Sequence, residues 1–375
     1  MRSLGYRSDL DKVFVKNARG SLNFSTPKLL NFFLYICLIT YAKPQLVLSL
    51  FRTNQILSTI FVLFFASLML AAPVLLQVKD QPGAYGILYH YLQGLIQGNN
   101  TTALFFALGF LFLGAFTVNY IDLNFRLSKD INMMPGLFYV LVSCTAPQLG
   151  VFSPLHAANF FLLLSLHELM DTFKKQSVAD RVFNAGFFLA IASFFYPSYL
   201  VFILLIFTGL NVMRGFNFQE RLMAFSGLIV PYVLMGVVTF WFNHFDLFWK
   251  LQVTQAFGWL DFYDSPFTVT VLLVIVVFVV LLLAVIFQQG SLTGKRVIQS
   301  QKRINLLYWA LFIAILSVPV QAGVQLQHLM ILAPAAGLLS GMLFSSMSRN
   351  WAEFLHLVWF ALVMVLKYQA FIFPG

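Results

Sequence analysis

From Phe267 to Phe287 the chain runs without a single charged side chain, and roughly 18 or more such residues in a row read as a helix that spans a bilayer. Inside hydrocarbon every backbone amide and carbonyl has to be bonded within the protein, which restricts spanning structures to helices and closed barrels. A barrel strand alternates apolar and polar residues with period two, whereas this run is apolar throughout. Composition carries the argument to the whole chain. Of its 375 residues, 60% are hydrophobic and 10% charged, against about 45–50% and about 25% in soluble domains. Taken in order, the apolar runs predict an all-α integral membrane protein of about eleven transmembrane helices, including short broken hairpins, plus interfacial helices.

Two segments are expected. Residues 1–53 form a basic arm followed by an interfacial or re-entrant stretch, and residues 54–375 form the polytopic helical domain. The arm carries Arg2, Arg7, Lys12, Lys16, Arg19 and Lys28 against Asp9 and Asp11, which suits an anionic cytoplasmic leaflet. It shows no apolar core ending in a small-residue cleavage site, so no removed signal peptide is expected. Cys37 and Cys144 form neither a CxxC motif nor a disulfide framework.

The net charge of +10 is a topology signal here and not a nucleic-acid footprint, because the basic residues sit between apolar runs. Arg126 and Lys129 fall in one such loop, then Lys174, Lys175 and Arg181, then Arg214 and Arg221, then Lys295, Arg296, Lys302 and Arg303, then Arg349. The alternate loops offer only Lys79 and Lys250. Under the positive-inside rule the first set is cytoplasmic, in a bacterial inner membrane. The other set then faces outward: two long loops, Gln77 to Asn100 and Asn243 to Ser265, and three tight turns at Pro147–Pro154, Tyr196–Ser198 and Val320–Leu326. Several apolar runs beside these turns hold only some 14 residues, about 21 Å of helix against a hydrocarbon core near 30 Å. The turns are therefore expected to be recessed beneath an outward-facing cavity.

Ser128-Lys129-Asp130-Ile131-Asn132, Ala157-Ala158-Asn159-Phe160-Phe161, Arg181-Val182-Phe183-Asn184-Ala185-Gly186 and Ala190 to Tyr196 together resemble a family of uncharacterised polytopic inner-membrane proteins of Gram-negative bacteria. The likeness begins near Leu50 and implies the membrane fold without an activity. A second, weaker likeness lies in Gln327-His328-Leu329-Met330-Ile331-Leu332-Ala333-Pro334 and the apolar run after it. This is similar to the late helix of multi-spanning glycosyltransferases that use lipid-phosphate-linked sugars. That resemblance implies an enzyme working at the outer face on a polyprenyl-phosphate-linked glycan.

Sugar transfer from a lipid phosphate needs a carboxylate to take the acceptor's proton and polar groups to hold the departing phosphate. Asp80, in the first outward loop, is the expected base, standing alone where that family often has a pair. His156, Gln325, Gln327 and His328 are the expected contacts to the lipid phosphate. The plainer reading pairs Asp80 with Lys79 and makes the histidines interfacial anchors. His167-Glu168-Leu169-Met170-Asp171 comes near the helical H-E-x-x-H zinc motif, but Asp171 also stands at ion-pair spacing from Lys174 and Lys175. No cofactor signature is identifiable, and a divalent cation is left open. The expected partners are membrane lipids, a polyprenyl-phosphate lipid among them, and other envelope proteins. Two further readings stand beside the enzyme: a non-catalytic scaffold subunit of an envelope assembly or secretion complex, and a transporter.

Overall fold

A computed structural model describes residues 48–52, 56–75, 85–96, 99–145, 152–254, 269–294, 296–320 and 326–372, all within the unit Val47–Gly375. The basic arm therefore lies outside the described residues. Among those described, the regular structure is helical, with no strand. The principal helices are α1 Ile56–Leu75, α2 Ile87–Ile96, α3 Asn100–Phe125, α4 Met134–Thr145, α5 Pro154–Met170, α6 Ala179–Phe195, α7 Ile203–Met213, α8 Phe218–Trp241, α9 Phe245–Trp249, α10 Val269–Phe287, α11 Ile298–Ser317, α12 Ala333–Ser346 and α13 Arg349–Ile372.

By length and composition, four segments among the described residues are able to cross a membrane: Asn100–Phe125, Phe218–Trp241, Gln327–Ser346 and Arg349–Tyr368. Ser58–Ala71, Met134–Thr145, Pro197–Met213 and Leu272–Phe287 are apolar but shorter. Burial separates centre from periphery. The apolar window of Gln327–Ser346 is 83% buried, whereas that of Phe218–Trp241 is 22% buried, so α12 belongs to the core and α8 to the rim.

Glycine sets the closest helix contacts. A Cβ on Gly337 would fall 2.6 Å from Tyr139 Cα, and one on Gly341 would fall 2.4 Å from Pro135 Cα. The Gly-x-x-x-Gly stripe of α12 thus lets its backbone lie directly on α4, as small residues do between membrane helices. Every residue of α4 is buried. Its first amides, which have no partner within the helix, are bonded by side chains: Met134 donates to Asn132 Oδ1 at 3.0 Å and Gly136 to Asn119 Oδ1 at 2.7 Å. A helix of 12 residues reaches only about 18 Å, which is tolerable at membrane depth because α4 is enclosed by protein.

Two of the runs are extended at their start by 3-10 turns. A 3-10 segment, Pro197–Phe202, leads into α7, and another, Leu326–Leu332, leads into α12. A 3-10 turn rises about 2.0 Å per residue against 1.5 Å in an α-helix, so the combined elements reach about 28 Å and about 35 Å. Length counted in α-helical residues underestimates both elements.

The loop expected over Lys295 to Arg303 also differs, since α11 already begins at Ile298. Arg303 lies inside the helix, with Nε donating to the Met170 carbonyl at 3.2 Å and the guanidinium 4.2 Å from the centre of the Phe125 ring. An arginine stem packs against apolar neighbours while its head finds polar partners, so charge by itself marks a helix end poorly.

The basic loops meet at one end of the helices. Arg296 donates to the Leu127 carbonyl, Ser300 to the Arg126 carbonyl at 3.3 Å, and Arg214 to the carbonyls of Thr172 and Lys175. Alternate loops coming together in this way agree with their shared charge.

Candidate functional site at the helix breaks

At the opposite end the three hairpin breaks are tied together by buried polar side chains. The first tie grows from local sequence. Ser153 caps α5, Pro154 occupies its first turn, and His156 takes the place that Glu or Gln holds in a capping box. His156 Nδ1 lies 3.1 Å from the Ser153 amide nitrogen and 3.2 Å from the Ser153 carbonyl, which holds the ring against the cap. The Ser153 hydroxyl then reaches Gln327 Oε1 at 3.3 Å, across 174 positions of sequence.

His328 makes the second tie. Its Nδ1 lies 3.1 Å from the Tyr196 hydroxyl and its Nε2 lies 3.2 Å from Ser317 Oγ. Ser317 gives its own proton to the Ala314 carbonyl at 2.7 Å, so it accepts from Nε2–H, and Nδ1 accepts from Tyr196. The imidazole is thereby held between the second and third breaks. Asn159 adds a third tie, donating to the Met330 carbonyl at 3.0 Å and accepting from the Tyr199 hydroxyl at 2.6 Å.

The segments that carry α2 and α9 dock on this layer. The last carbonyls of a helix lack partners within it, and here they are met from outside. Gly86, just before α2, donates to the Phe195 carbonyl at 2.8 Å, and Gln252, after α9, reaches the Phe194 carbonyl at 3.5 Å. A Cβ on Gly86 would lie 2.1 Å from Phe194 O, so the approach needs glycine. Ile87, Phe194, Phe248 and Leu251 close a small apolar cluster around the junction.

Of the residues singled out in the sequence, the structure brings His156, Gln327 and His328 into one network, and leaves them 0%, 7% and 1% exposed. Asp80 and Gln325 lie outside the described residues. His90 is half-buried and stacks on Tyr85 with ring centres 6.2 Å apart, while Asp246 is exposed. Tyr196, Tyr199, Asn159 and Ser317 are the network members that the search for charged and imidazole groups passes over. Their signal in the sequence is adjacency to Pro197 and Pro319 and, for Asn159, helical spacing from His156.

The near-zinc motif takes a different form. Glu168 pairs with Arg181 at 2.9 Å, and Asp171 pairs with Lys175 at 2.5 Å and with Arg181 at 3.3 Å. The His167 ring lies against Tyr120 and Phe125, with centres 5.3 and 5.2 Å away. Among the described residues no group of three or more His, Cys, Asp or Glu side chains is placed to hold a metal ion.

Fold and break layer define a class: a bundle of apolar helices, compatible with a multi-pass integral membrane protein, closed at one end by basic loops and at the other by a hydrogen-bonded seam. No known protein family, curated protein or solved structure matches the chain.

Proposed function

We propose that this chain is a multi-pass protein of a bacterial inner membrane, with about eleven crossings and its basic end in the cytoplasm. In our reading it serves as a non-catalytic subunit that scaffolds an envelope assembly or secretion complex. The observation that supports the second part is how His156, Gln327 and His328 are used. A group that binds a departing phosphate or moves a proton has to reach the reactant. These three side chains are buried and turned onto Ser153, Tyr196 and Ser317, which is what a framework requires. A lipid phosphate could engage Gln327 or His328 only by breaking bonds between hairpins, and His156 only by opening the cap of α5.

The competing reading, transfer from a polyprenyl-phosphate-linked glycan, rests on Asp80 as base. Asp80→Asn, expressed from the native locus, is expected to leave the envelope phenotype unchanged at normal protein abundance. Loss of function at normal abundance would overturn the scaffold reading. Purification from native membranes in mild detergent is expected to retain a partner protein in stoichiometric amount. A partner-free chain that transfers sugar from a polyprenyl phosphate in vitro would equally overturn it.

A further inference from the structure

An open groove of about 490 Å³ runs between the second half of α8 and the short helix α9. Tyr232, Val237 and Phe240 form one wall, and Phe245, Phe248 and Trp249 the other. Gly236 makes the room, since a Cβ there would meet only the rings of Phe245 and Phe248, at 3.9 Å. Apart from the Trp249 indole N–H, the lining's polar side-chain atom is directed elsewhere: the Tyr232 hydroxyl lies 2.8 Å from Ser193 Oγ and 3.5 Å from Gln252 Oε1. What remains is apolar and largely aromatic.

Two observations point to the occupant. The groove opens from the rim helix, whose Val233, Val237, Phe240 and Trp241 are exposed, so the surface beside it meets hydrocarbon when the helix spans a bilayer. Lys250 follows Trp249 directly and is exposed, and no other Lys or Arg occurs between Arg221 and Lys295. Asp246 and His244 share the segment and are also exposed, leaving Lys250 as its fixed positive charge. Aromatic residues next to one cation are suited to the headgroup level of a bilayer.

We propose that this groove seats one acyl chain of an anionic glycerophospholipid, with the phosphate at Lys250. Native mass spectrometry after exchange into dioleoyl phosphatidylglycerol or dioleoyl phosphatidylcholine tests it. The unaltered protein is expected to retain one phosphatidylglycerol more than Gly236→Trp, whose indole fills the groove. Gly236→Ala, which fits, is expected to keep that lipid. Lys250→Gln is expected to lower the preference for phosphatidylglycerol over phosphatidylcholine about fivefold. Equal lipid counts in the unaltered protein and Gly236→Trp overturn the proposal, as does equal retention of the two lipids by the unaltered protein. An isoprenoid phosphate carried in the groove from native membranes also overturns it. Should Gly236→Trp fail to accumulate, a photoactivatable phosphatidylglycerol decides: labelling concentrated on residues 232–253 of the unaltered protein supports the site, and labelling confined to other segments refutes it.

Discussion

Tyr196 and His328, separated by 132 positions, are joined by a hydrogen bond of 3.1 Å inside the protein. The bond links the break after α6 to the 3-10 turn before α12. Hydrogen bonds between membrane helices contribute about 0.6 kcal/mol on average and up to about 1.7 kcal/mol. Tyr196→Phe and His328→Leu are each expected to lower unfolding stability in mixed micelles. The double variant is expected to fall short of their sum by about 0.5–1.5 kcal/mol. Strict additivity in that cycle would show that the bond contributes nothing.

Gly337 and Gly341 are expected to tolerate no side chain, since a Cβ at either would meet the backbone of α4 within 2.6 Å. Backbone cannot step aside, so Gly341→Leu is expected to abolish accumulation in membranes. Gly109 has nothing within 4 Å of such a Cβ and lies inside α3. Gly109→Ala is therefore expected to be neutral or to stabilise by up to about 1 kcal/mol through helix propensity. Immunoblots of membrane fractions and an unfolding titration separate the two outcomes.

His356 is 1% exposed, and among the described residues neither ring nitrogen has a hydrogen-bond partner. Phe65, Phe138 and Phe360 surround it, with ring centres about 6 Å away. An unmade bond on a buried polar group costs roughly 1–3 kcal/mol, so His356→Phe is expected to raise stability. A fall of comparable size in the unfolding midpoint would instead mean that the imidazole is engaged.

Glu168 is mostly buried, and its carboxylate is neutralised by the half-exposed Arg181. Removing the cation strands a charge, whereas removing both partners does not. Arg181→Gln is expected to cost about 1–3 kcal/mol, discounted for the exposure of Arg181. The Glu168→Gln, Arg181→Gln double variant is expected to be milder. Denaturation of the three proteins side by side checks the order, and a double variant as weak as the sum of the singles would refute it.

Orientation is checked by thiol labelling of intact cells. Lys129→Cys, at an exposed position on the basic end, is expected to react with a membrane-impermeant reagent only after lysis. Leu95→Cys, at a 73% exposed position on α2, is expected to react before it. Both variants carry Cys37→Ser, and the remaining native Cys144 is fully buried and adds little background.

Much of the local architecture is legible from residues close in sequence. Ser153-Pro154 and Tyr196-Pro197-Ser198 mark breaks because proline removes a backbone donor, and at the first of them the Ser153 hydroxyl supplies a cap. What escapes is whatever needs a partner from elsewhere. Lys302 and Arg303 look like loop residues until Phe173 is placed beside the first and Met170 and Phe125 beside the second. The 3-10 continuation of Pro197–Phe202 is invisible in hydropathy, which counts residues and not their rise.

By itself the sequence determined that the chain is helical and suited to a bilayer, because unbroken apolar runs leave the backbone no other way to bond itself in hydrocarbon. It also determined which loops share a charge. Only the tertiary structure decided which side chains meet Gln327 and His328. A polar side chain near a helix break serves equally as a ligand contact or as a fastening between helices. For Gln327 and His328 the choice depends on whether Ser153 and Tyr196, 174 and 132 positions away, arrive within hydrogen-bond distance, which is a property of packing between distant segments, whereas His156 meets Ser153 within its own helix cap.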